Sequence, residues 1–269
     1  MREYKIIKKG GYGQVLLVVD IGNTNITLGV FDGDENKMIA RMATEKSKTA
    51  DQYAVEMINV LSVHSIDIKN LDGCIVSSVV PTLTNAFKKA CELIKINKTL
   101  FVGPGVKTGL DIKIDNPAQL GADLVVGAVA ATKLYPMPCI ILDLGTATTI
   151  SVLDKNGSFL GGPICAGIGI SLEALTSRTA QLPGISLETP KSVIGKNSID
   201  SMKAGLVIGS ACMIDGLIER IEDELGEKAT IVATGGLASE VVKNCKRDII
   251  INDNLLLDGL KIIYDKNVK

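Results

Sequence analysis

One stretch near the N-terminus decides the fold: Leu16-Leu17-Val18-Val19-Asp20-Ile21-Gly22-Asn23-Thr24-Asn25-Ile26-Thr27-Leu28-Gly29-Val30-Phe31. The aliphatic run before Asp20 is typical of a strand that is buried on both faces. Gly22 allows a tight bend, and the polar residues after it place hydrogen-bond donors in that bend. A carboxylate beside such a turn is suited to hold a hydrated metal ion against phosphate oxygens. An ordinary hairpin, with Asp and Asn as turn formers, is the alternative interpretation.

A second stretch repeats this plan: Cys139-Ile140-Ile141-Leu142-Asp143-Leu144-Gly145-Thr146-Ala147-Thr148-Thr149-Ile150-Ser151-Val152-Leu153. Both copies have an apolar run, an Asp, one further residue, a Gly, a hydroxyl-rich turn and a second apolar run. Each copy opens one half of the chain. Matching halves predict two similar domains that face each other, with the two carboxylate turns converging on one ligand.

The composition excludes several classes of function. Aromatic residues make up 3% of the 269 residues and Trp is absent, which argues against stacking platforms for nucleic acid. The net charge is -1, so no basic field is present to attract nucleic acid or an acidic membrane surface. Hydrophobic residues make up 46% of the chain, which is ample for a buried core. We therefore expect neither a nucleic-acid partner nor a membrane partner.

The six cysteines have no Cys-x-x-Cys spacing and only one His accompanies them, which argues against a zinc site. Reduced thiols, no visible signal peptide and no apolar run close to the length of a membrane span predict a cytoplasmic protein. The single histidine, His64, is expected in a solvated loop after a helix. Any general base must then be a carboxylate, Lys or Tyr.

Along the chain, three strands are followed by alternating helices and strands, which predicts an α/β fold with a mixed sheet. Residues 1–14 are basic and Gly-rich, and we expect a disordered extension there, arising from a mis-assigned start. Helices are expected over residues 51–62, from Pro81 onward, and over residues 198–225. Their predicted apolar faces are Val55, Ile58 and Leu61; Leu83, Phe87, Ala90 and Leu93; and Met202, Leu206, Met213, Leu217 and Ile221.

Two further motifs can carry chemistry. Asp123 falls in the first turn of a small, apolar helix, where it is either a general base at a cleft or simply a carboxylate that the helix dipole favours. Gly235 and Gly236 follow a buried strand, so a flat ligand could lie against bare backbone there. Alone, the glycine pair is a weak signal.

Taken together, these residues resemble the type III pantothenate kinase family of the acetate and sugar kinase/Hsp70/actin superfamily. The resemblance covers the chain from Val15 onward. It is carried by Asp20-Ile21-Gly22-Asn23-Thr24, Val76-Ser77-Ser78-Val79-Val80-Pro81, Gly121-Ala122-Asp123, Asp143-Leu144-Gly145-Thr146, Gly195-Lys196-Asn197 and Thr234-Gly235-Gly236.

The resemblance implies duplicated ribonuclease-H-like (actin-like ATPase) domains with mixed β-sheets, at residues 15–127 and 128–269, with an ATP cleft between them. It also implies a homodimer and the ATP-dependent phosphorylation of pantothenate to 4'-phosphopantothenate, the first step of coenzyme A synthesis. The implied cofactors are Mg²⁺ and a monovalent cation, K⁺ or NH₄⁺. Positioning and charge neutralisation are what phosphoryl transfer chiefly needs, and these groups supply them.

The resemblance also implies roles for individual residues. Asp123 matches the proton acceptor, Asp20 lies near Mg²⁺ and Asp143 looks like the K⁺ ligand. The ATP contacts it implies are Asp20, Ile21, Gly22, Asn23, Thr24, Asn25, Ile26, Thr27, Thr146, Gly235 and Gly236. The implied contacts with pantothenate are Ile114, Gly121, Ala122, Asp123, Leu124 and Ser198.

The side that binds the alcohol departs from the family pattern. The family usually has Arg at the position of Leu124, Tyr at Ile114, Thr at Ser198 and Pro at Ala166. Loss of the Arg removes a charge-assisted partner for the substrate carboxylate, about 1.5–3 kcal/mol. Another cation such as Lys133 or Arg178 replaces it, or affinity is lower, or the substrate differs. A kinase of another small alcohol and a non-catalytic regulator derived from a kinase are therefore the competing functions.

Overall fold

The computed structural model describes residues 14–268, and the chain divides into two compact units. Unit 1 contains the N-terminal part as far as Thr108, Leu120–Val126 and the C-terminal part from Leu256. Unit 2 contains Gly109–Gln119 and Gly127–Leu255. The C-terminal segment thus groups with the N-terminal sheet, whereas a division at residue 127 places it with the second half. Apart from Gln14, the predicted N-terminal extension lies outside the described residues.

The described residues form eleven strands and eight α-helices. The strands are β1 (Val15–Ile21), β2 (Asn25–Asp32), β3 (Glu35–Ala43), β4 (Gly73–Ser78), β5 (Thr99–Phe101), β6 (Cys139–Leu144), β7 (Ala147–Leu153), β8 (Phe159–Gly161), β9 (Ile164–Ala166), β10 (Thr230–Thr234) and β11 (Ile250–Ile251). The α-helices are α1 (Ala50–Val63), α2 (Pro81–Leu93), α3 (Ala122–Leu134), α4 (Ile168–Arg178), α5 (Ser198–Lys203), α6 (Gly209–Leu225), α7 (Ala238–Val242) and α8 (Leu255–Val268). Short 3-10 helices lie at Ile68–Asn70 and Pro117–Gln119, and a π-helical segment at Ala204–Ile208 joins α5 to α6.

Unit 1 is built on a five-stranded sheet with the order β3-β2-β1-β4-β5. The central strand β1 pairs antiparallel with β2 and parallel with β4. Helices α1 and α2 cover one face of the sheet, where the rings of Tyr53 and Phe87 lie 4.6 Å apart. On the other face, α8 packs so closely that a Cβ added at Gly73 would lie 1.8 Å from the Tyr264 hydroxyl. The inner strands β1 and β4 are therefore buried on both faces, as their aliphatic residues predict, whereas alternate residues of the edge strand β3 are exposed.

Unit 2 repeats this topology. Its sheet has the order β11-β10-β6-β7-β8, with β9 paired to β7. The central strand β6 pairs antiparallel with β7 and parallel with β10. Read from β8, the order β8-β7-β6-β10-β11 matches β3-β2-β1-β4-β5 strand for strand. The predicted α/β fold with two duplicated mixed sheets is confirmed.

The predicted apolar faces of α1 and α2 were partly wrong. In α1 the buried residues are Tyr53, Ala54, Met57 and Leu61, whereas Val55 is 56% exposed and Ile58 is 39% exposed. In α2, Leu93 is exposed and Cys91 is buried instead. The contact between Tyr53 and Phe87 orients α1, and periodicity alone gives too little weight to such an aromatic contact.

The long helix at Ser198–Leu225 differs from its prediction because it contains the π-helical segment. A π-helical turn holds more residues than an α-helical turn, so the residues beyond it are rotated relative to a continuous α-helix. The buried positions after the segment are Ala211, Ile214, Ile218 and Glu222, while Met213, Leu217 and Ile221 are only partly buried. Beyond the π segment, the buried face of the helix therefore lies one residue later in the sequence than the predicted face.

The same helix corrects the expectation that no apolar run approaches the length of a membrane span. The helix is 28 residues long, and an 18-residue stretch of it has a mean hydropathy of 1.4, so by length and composition alone it could cross a membrane. Core helices can have the same properties, and this helix contributes Leu206, Ala211, Ile214 and Ile218 to the core of unit 2. Packing therefore accounts for part of its apolar character, since 39% of that stretch is buried.

We predict that two substitutions in α1 separate its buried face from its exposed one. Met57→Ala removes a fully buried side chain and should lower the free energy of unfolding by about 2–5 kcal/mol. Val55→Ala, the matched control on the exposed face, should change it by less than about 0.5 kcal/mol. Urea unfolding followed by circular dichroism measures both, and equal losses would contradict the observed face.

Candidate active site

The first predicted phosphate turn joins β1 to β2. Its two ends are apolar and buried, and its tip is polar and exposed. Ile21 and Ile26 are fully buried in the core of unit 1 and anchor its two ends. Between them, the side chains of Asn23 and Thr24 are exposed. The Gly22 N–H donates to the Asn25 carbonyl at 3.0 Å and closes the turn. The hydrophobic core thus holds the two ends of this polar tip in place.

Asp20 lies one residue before the end of β1 and is half-buried. In the sheet, Asp20 pairs directly with Thr27 on β2 on one side and with Ser77 on β4 on the other. Directly paired residues project from the same face of a sheet, so two hydroxyl side chains flank the carboxylate. Ser77 is fully buried, and its hydroxyl has no hydrogen-bond partner within the described part of the chain. A buried hydroxyl without a partner costs about 1–3 kcal/mol, so a hydrogen bond to a bound group or a water would be favourable there.

The second predicted turn, between β6 and β7, reproduces this arrangement in unit 2. Asp143 is half-buried and pairs with Thr149 on β7 and with Thr234 on β10. The Gly145 N–H donates to the Ala147 carbonyl at 3.1 Å, so this turn is one residue shorter than the first. Each acidic residue therefore has a hydroxyl residue on both neighbouring strands.

The glycine pair lies directly against the second turn. Gly235 has a φ of +98°, and a Cβ added there would lie 2.6 Å from the Leu144 carbonyl carbon and 2.7 Å from Asp143 Oδ1. A Cβ added at Gly236 would meet nothing within 4 Å. Unit 2 thus brings Gly235 and Asp143 together, whereas Gly236 faces open space.

The N-terminus of α4 also packs on the second turn. Gly167 is the N-cap of this helix. A Cβ added at Gly167 would lie 2.3 Å from the Thr146 carbonyl oxygen and 2.6 Å from that of Gly145. The carbonyl groups of the turn therefore face the start of the helix, and the Thr146 side chain is exposed.

Asp123 lies in the first turn of α3 and is half-buried. Its Oδ1 accepts a hydrogen bond from the Leu124 N–H at 2.8 Å. Burial raises the pKa of this carboxyl group, and the hydrogen bond from Leu124 opposes the rise only in part. A Cβ added at Gly121 would lie 2.5 Å from Asp123 Oδ1, so the glycine leaves room for the carboxylate. A carboxylate held in this way is suited to accept a proton.

The remaining predicted substrate contacts divide between the units. Gly121, Ala122, Asp123 and Leu124 are half-buried in unit 1. In unit 2, Ile114 is half-buried beside Gly161, and Ser198 is exposed at the start of α5. Their role in binding a substrate stays a prediction.

Of the two cations considered as replacements for an Arg at position 124, Lys133 lies in the last turn of α3. It follows Leu124 by nine residues, which is about 13 Å along the helix axis. A lysine side chain spans only part of that distance. Lys133 therefore does not occupy the place of the missing Arg.

Sequence reasoning missed the residues that long-range strand pairing brings to the two turns. Ser77 and Thr234 flank the acidic residues, and both lie in stretches that carry the family resemblance, although no role was predicted for them. Thr44, just after β3, hydrogen-bonds to the first turn. In each case the only sequence signal was a hydroxyl residue at or just beyond a strand end, which is too common to single out a site.

Comparison with known proteins identifies the family. The model of the type III pantothenate kinase family matches residues 16–220, which is more than half of the chain. The chain belongs to the type III pantothenate kinase family. A curated type III pantothenate kinase of Brevibacillus brevis is 42% identical over 94% of this chain and 99% of its own length. Another, from Koribacter versatilis, is 43% identical over 94% of this chain and 96% of its own length. The predicted family and its enzyme class, a phosphotransferase with an alcohol acceptor, are confirmed.

Solved structures support the fold of the family. A Campylobacter jejuni protein named for the Baf family of transcriptional activators superposes with a TM-score of 0.60, at 18% identity, over 93% of this chain and 98% of its own. Component A of the (R)-2-hydroxyglutaryl-CoA dehydratase of Acidaminococcus fermentans superposes with a TM-score of 0.58, at 17% identity, over 95% of this chain and 99% of its own. At these identities the likeness shows the shared fold alone.

We predict that the two adjacent glycines respond differently to a methyl group. Gly235→Ala places a Cβ against backbone at a positive φ and should lower the free energy of unfolding by about 1–3 kcal/mol. Gly236→Ala meets open space and should change it by less than about 0.5 kcal/mol. Denaturant unfolding of the two variants beside the wild type measures this. Equal stability of the two variants would show that Gly235 does not hold the second turn.

Proposed function

We propose that the protein transfers the γ-phosphoryl group of ATP to the terminal hydroxyl of pantothenate and forms 4'-phosphopantothenate, which begins coenzyme A synthesis. The observation that carries the proposal is the match of the chain to curated type III pantothenate kinases over 94% of its length. The two acidic turns and the half-buried Asp123 supply the chemistry that such a transfer needs.

In this proposal both turns bind the phosphates of one ATP. The backbone N–H groups and exposed polar side chains of Asn23, Thr24 and Asn25 serve as donors in the first turn. Thr146 serves in the second turn, beside the N-terminus of α4, whose dipole favours an anion. Gly235 and Gly236 lie against the adenosine. Fixed donors of this kind stabilise charge without reorganisation.

Mg²⁺ fits the first turn. It prefers oxygen ligands and keeps several waters, so one carboxylate plus substrate phosphates is a common site for it. Asp20 supplies the carboxylate, and the buried Ser77 hydroxyl on the same face can hydrogen-bond to a metal-bound water. When bound, Mg²⁺ neutralises the charge on the transferred phosphoryl group. The residues present therefore suit this ion.

The acidic residue of the second turn is proposed to hold the monovalent cation, K⁺ or NH₄⁺. Asp143 supplies a carboxylate, and the neighbouring Thr234 and Thr149 supply hydroxyl oxygens on the two adjacent strands. A large monovalent cation needs several such oxygens at once. The absence of a side chain at Gly235 leaves room for the Asp143 carboxylate beside it.

Asp123 is proposed to accept the proton of the substrate hydroxyl. Deprotonation is late in phosphoryl transfer to an alcohol, so a carboxylate of modest basicity suffices. Burial raises the pKa of Asp123, which makes the carboxylate a better acceptor than an exposed one. The Leu124 N–H holds its orientation.

We also propose that the protein is a cytoplasmic homodimer. All six cysteines are free, which suits a reducing compartment. Unit 2 exposes several large apolar side chains, a pattern typical of subunit contacts: Ile164, Ile170, Leu175, Val193, Ile194 and Ile199. The expected mass in sedimentation equilibrium is twice 28.4 kDa, and a monomeric mass would contradict the dimer.

The decisive test is a coupled ADP-release assay with ATP, Mg²⁺ and pantothenate, with and without K⁺. We expect ADP release that depends on pantothenate and increases with K⁺. If ADP release depends on a different small alcohol and not on pantothenate, that alcohol is the substrate. ATP binding without turnover for every alcohol tried would favour a regulator and contradict the kinase.

We predict that Asp123→Asn abolishes turnover because the amide cannot accept the proton. Binding of ATP should change little, since the substitution removes no phosphate donor. In the wild type, kcat should fall as the pH drops through the raised pKa of Asp123, because the protonated carboxyl group cannot serve as the acceptor. Steady-state kinetics and calorimetric titration with ATP measure these effects. Near-normal turnover of the variant would remove Asp123 from this role.

We predict that Leu124→Arg lowers the KM for pantothenate by about 10- to 100-fold, because it supplies a charge-assisted partner for the substrate carboxylate. The matched control Leu124→Met, which adds no charge, should leave KM within about twofold. If the KM for pantothenate is unchanged in the Arg variant and an alcohol without a carboxylate is the better substrate, the protein is a kinase of that alcohol.

A further inference from the structure

Thr44 joins the end of β3 to the first phosphate turn through two hydrogen bonds. Its hydroxyl donates to the Gly22 carbonyl oxygen at 2.8 Å. Its backbone N–H donates to the Thr24 carbonyl oxygen at 3.0 Å. The two accepting carbonyl groups belong to the residues on either side of Asn23. Thr44 therefore contacts the turn at both ends of its exposed tip.

These bonds determine where the donors of the turn point. A trans peptide is planar, and its N–H points opposite to its C=O. When Thr44 holds the Gly22 carbonyl, the Asn23 N–H must point away from Thr44. The bond to the Thr24 carbonyl orients the Asn25 N–H in the same way. Both N–H groups belong to the turn that is proposed to bind phosphate.

The core holds the two ends of the turn, but the Thr44 hydroxyl restrains the peptide plane between Gly22 and Asn23. Glycine has the widest range of backbone conformations, so the Gly22 peptide plane is free to rotate unless a hydrogen bond fixes it. The closing bond from the Gly22 N–H to Asn25 fixes the preceding peptide plane and not the one that contains the Gly22 carbonyl. A donor that is fixed before binding gives tighter binding than one that must be ordered by the ligand.

The second turn shows a corresponding arrangement. There, the carbonyl oxygens of Gly145 and Thr146 face Gly167 at the start of α4. In both units, then, an element outside the hairpin contacts the carbonyl side of the turn. In unit 1 that element is Thr44, and only its hydroxyl contact can be removed without changing the backbone.

We propose that Thr44 is a positioning residue that holds the first turn in the conformation that binds the ATP phosphates. The inference rests on the proposed function, in which this turn binds ATP. Thr44 acts through the peptide planes at Gly22 and Thr24 and need not touch the nucleotide. Nothing in the sequence pattern alone assigns it this role.

The test compares three variants of the full-length protein. Thr44→Val keeps the shape and the backbone N–H but removes the hydroxyl bond, whereas Thr44→Ser keeps the hydroxyl. Thr49→Val is the control for a purely structural loss, because Thr49 caps α1 by accepting from the Gln52 N–H and does not contact the turn. Calorimetric titration with Mg²⁺ and ATP, without an alcohol, gives Kd for each, and steady-state assays give KM and kcat.

We expect Thr44→Val to raise Kd and KM for ATP about five- to tenfold, the loss typical of one hydrogen bond. The KM for pantothenate and kcat at saturating ATP should stay within about twofold. Thr44→Ser should restore the affinity for ATP. Thr49→Val should lower the unfolding temperature and leave the affinity for ATP unchanged.

Unchanged ATP affinity in Thr44→Val, an equal loss for ATP and pantothenate, or an equal loss of ATP affinity in Thr49→Val would overturn the inference. Because Kd is measured without an acceptor, a wild type that binds ATP but does not phosphorylate pantothenate would overturn only the proposed function. A wild type that does not bind ATP would overturn both.

Discussion

The structure depends on how one strand in each unit is paired. β1 and β6 each lie between an antiparallel neighbour, which returns through a tight turn, and a parallel neighbour, which arrives from elsewhere in the chain. The antiparallel neighbour brings the donor-rich turn next to the acidic residue. The parallel neighbour brings a hydroxyl residue to its other side. This pairing builds the same oxygen-rich group at Asp20 and at Asp143.

The buried parts of the sheet hold these groups rigidly. The first turn is flanked by Ile21 and Ile26, both fully buried, so its polar tip is a short excursion from a close-packed core. In the second turn, the close backbone contacts of Gly167 and Gly235 have the same effect. Catalysis of phosphoryl transfer depends mainly on positioning, so such a site needs polar turns whose ends are held rigidly by buried residues.

Much of this was predictable from the sequence because it is local. The two hairpins, the mixed sheets and the helix start before Asp123 follow from apolar runs, glycines and helical periodicity. The faces of α1 and of the long helix did not follow, since the first is oriented by a ring contact with α2 and the second is rotated by a π segment. Neither cause is visible in a periodic pattern.

The missed site residues have a similar explanation. Ser77, Thr234 and Thr44 reach the turns only through pairing with distant segments, and a single sequence does not give strand order or register. The acidic turns were found because they occur twice. A substitute for the missing Arg was sought in Lys133, but helix geometry places that residue at the far end of α3.

The central proposal is that one nucleotide is bound by both repeated turns. The most direct measurement is a crystal structure with Mg²⁺ and a non-hydrolysable ATP analogue. We expect the phosphates to accept hydrogen bonds from the Asn23–Asn25 turn and from Thr146, with the metal ion beside Asp20. Phosphates bound by only one of the turns, with the other facing solvent, would contradict the claim.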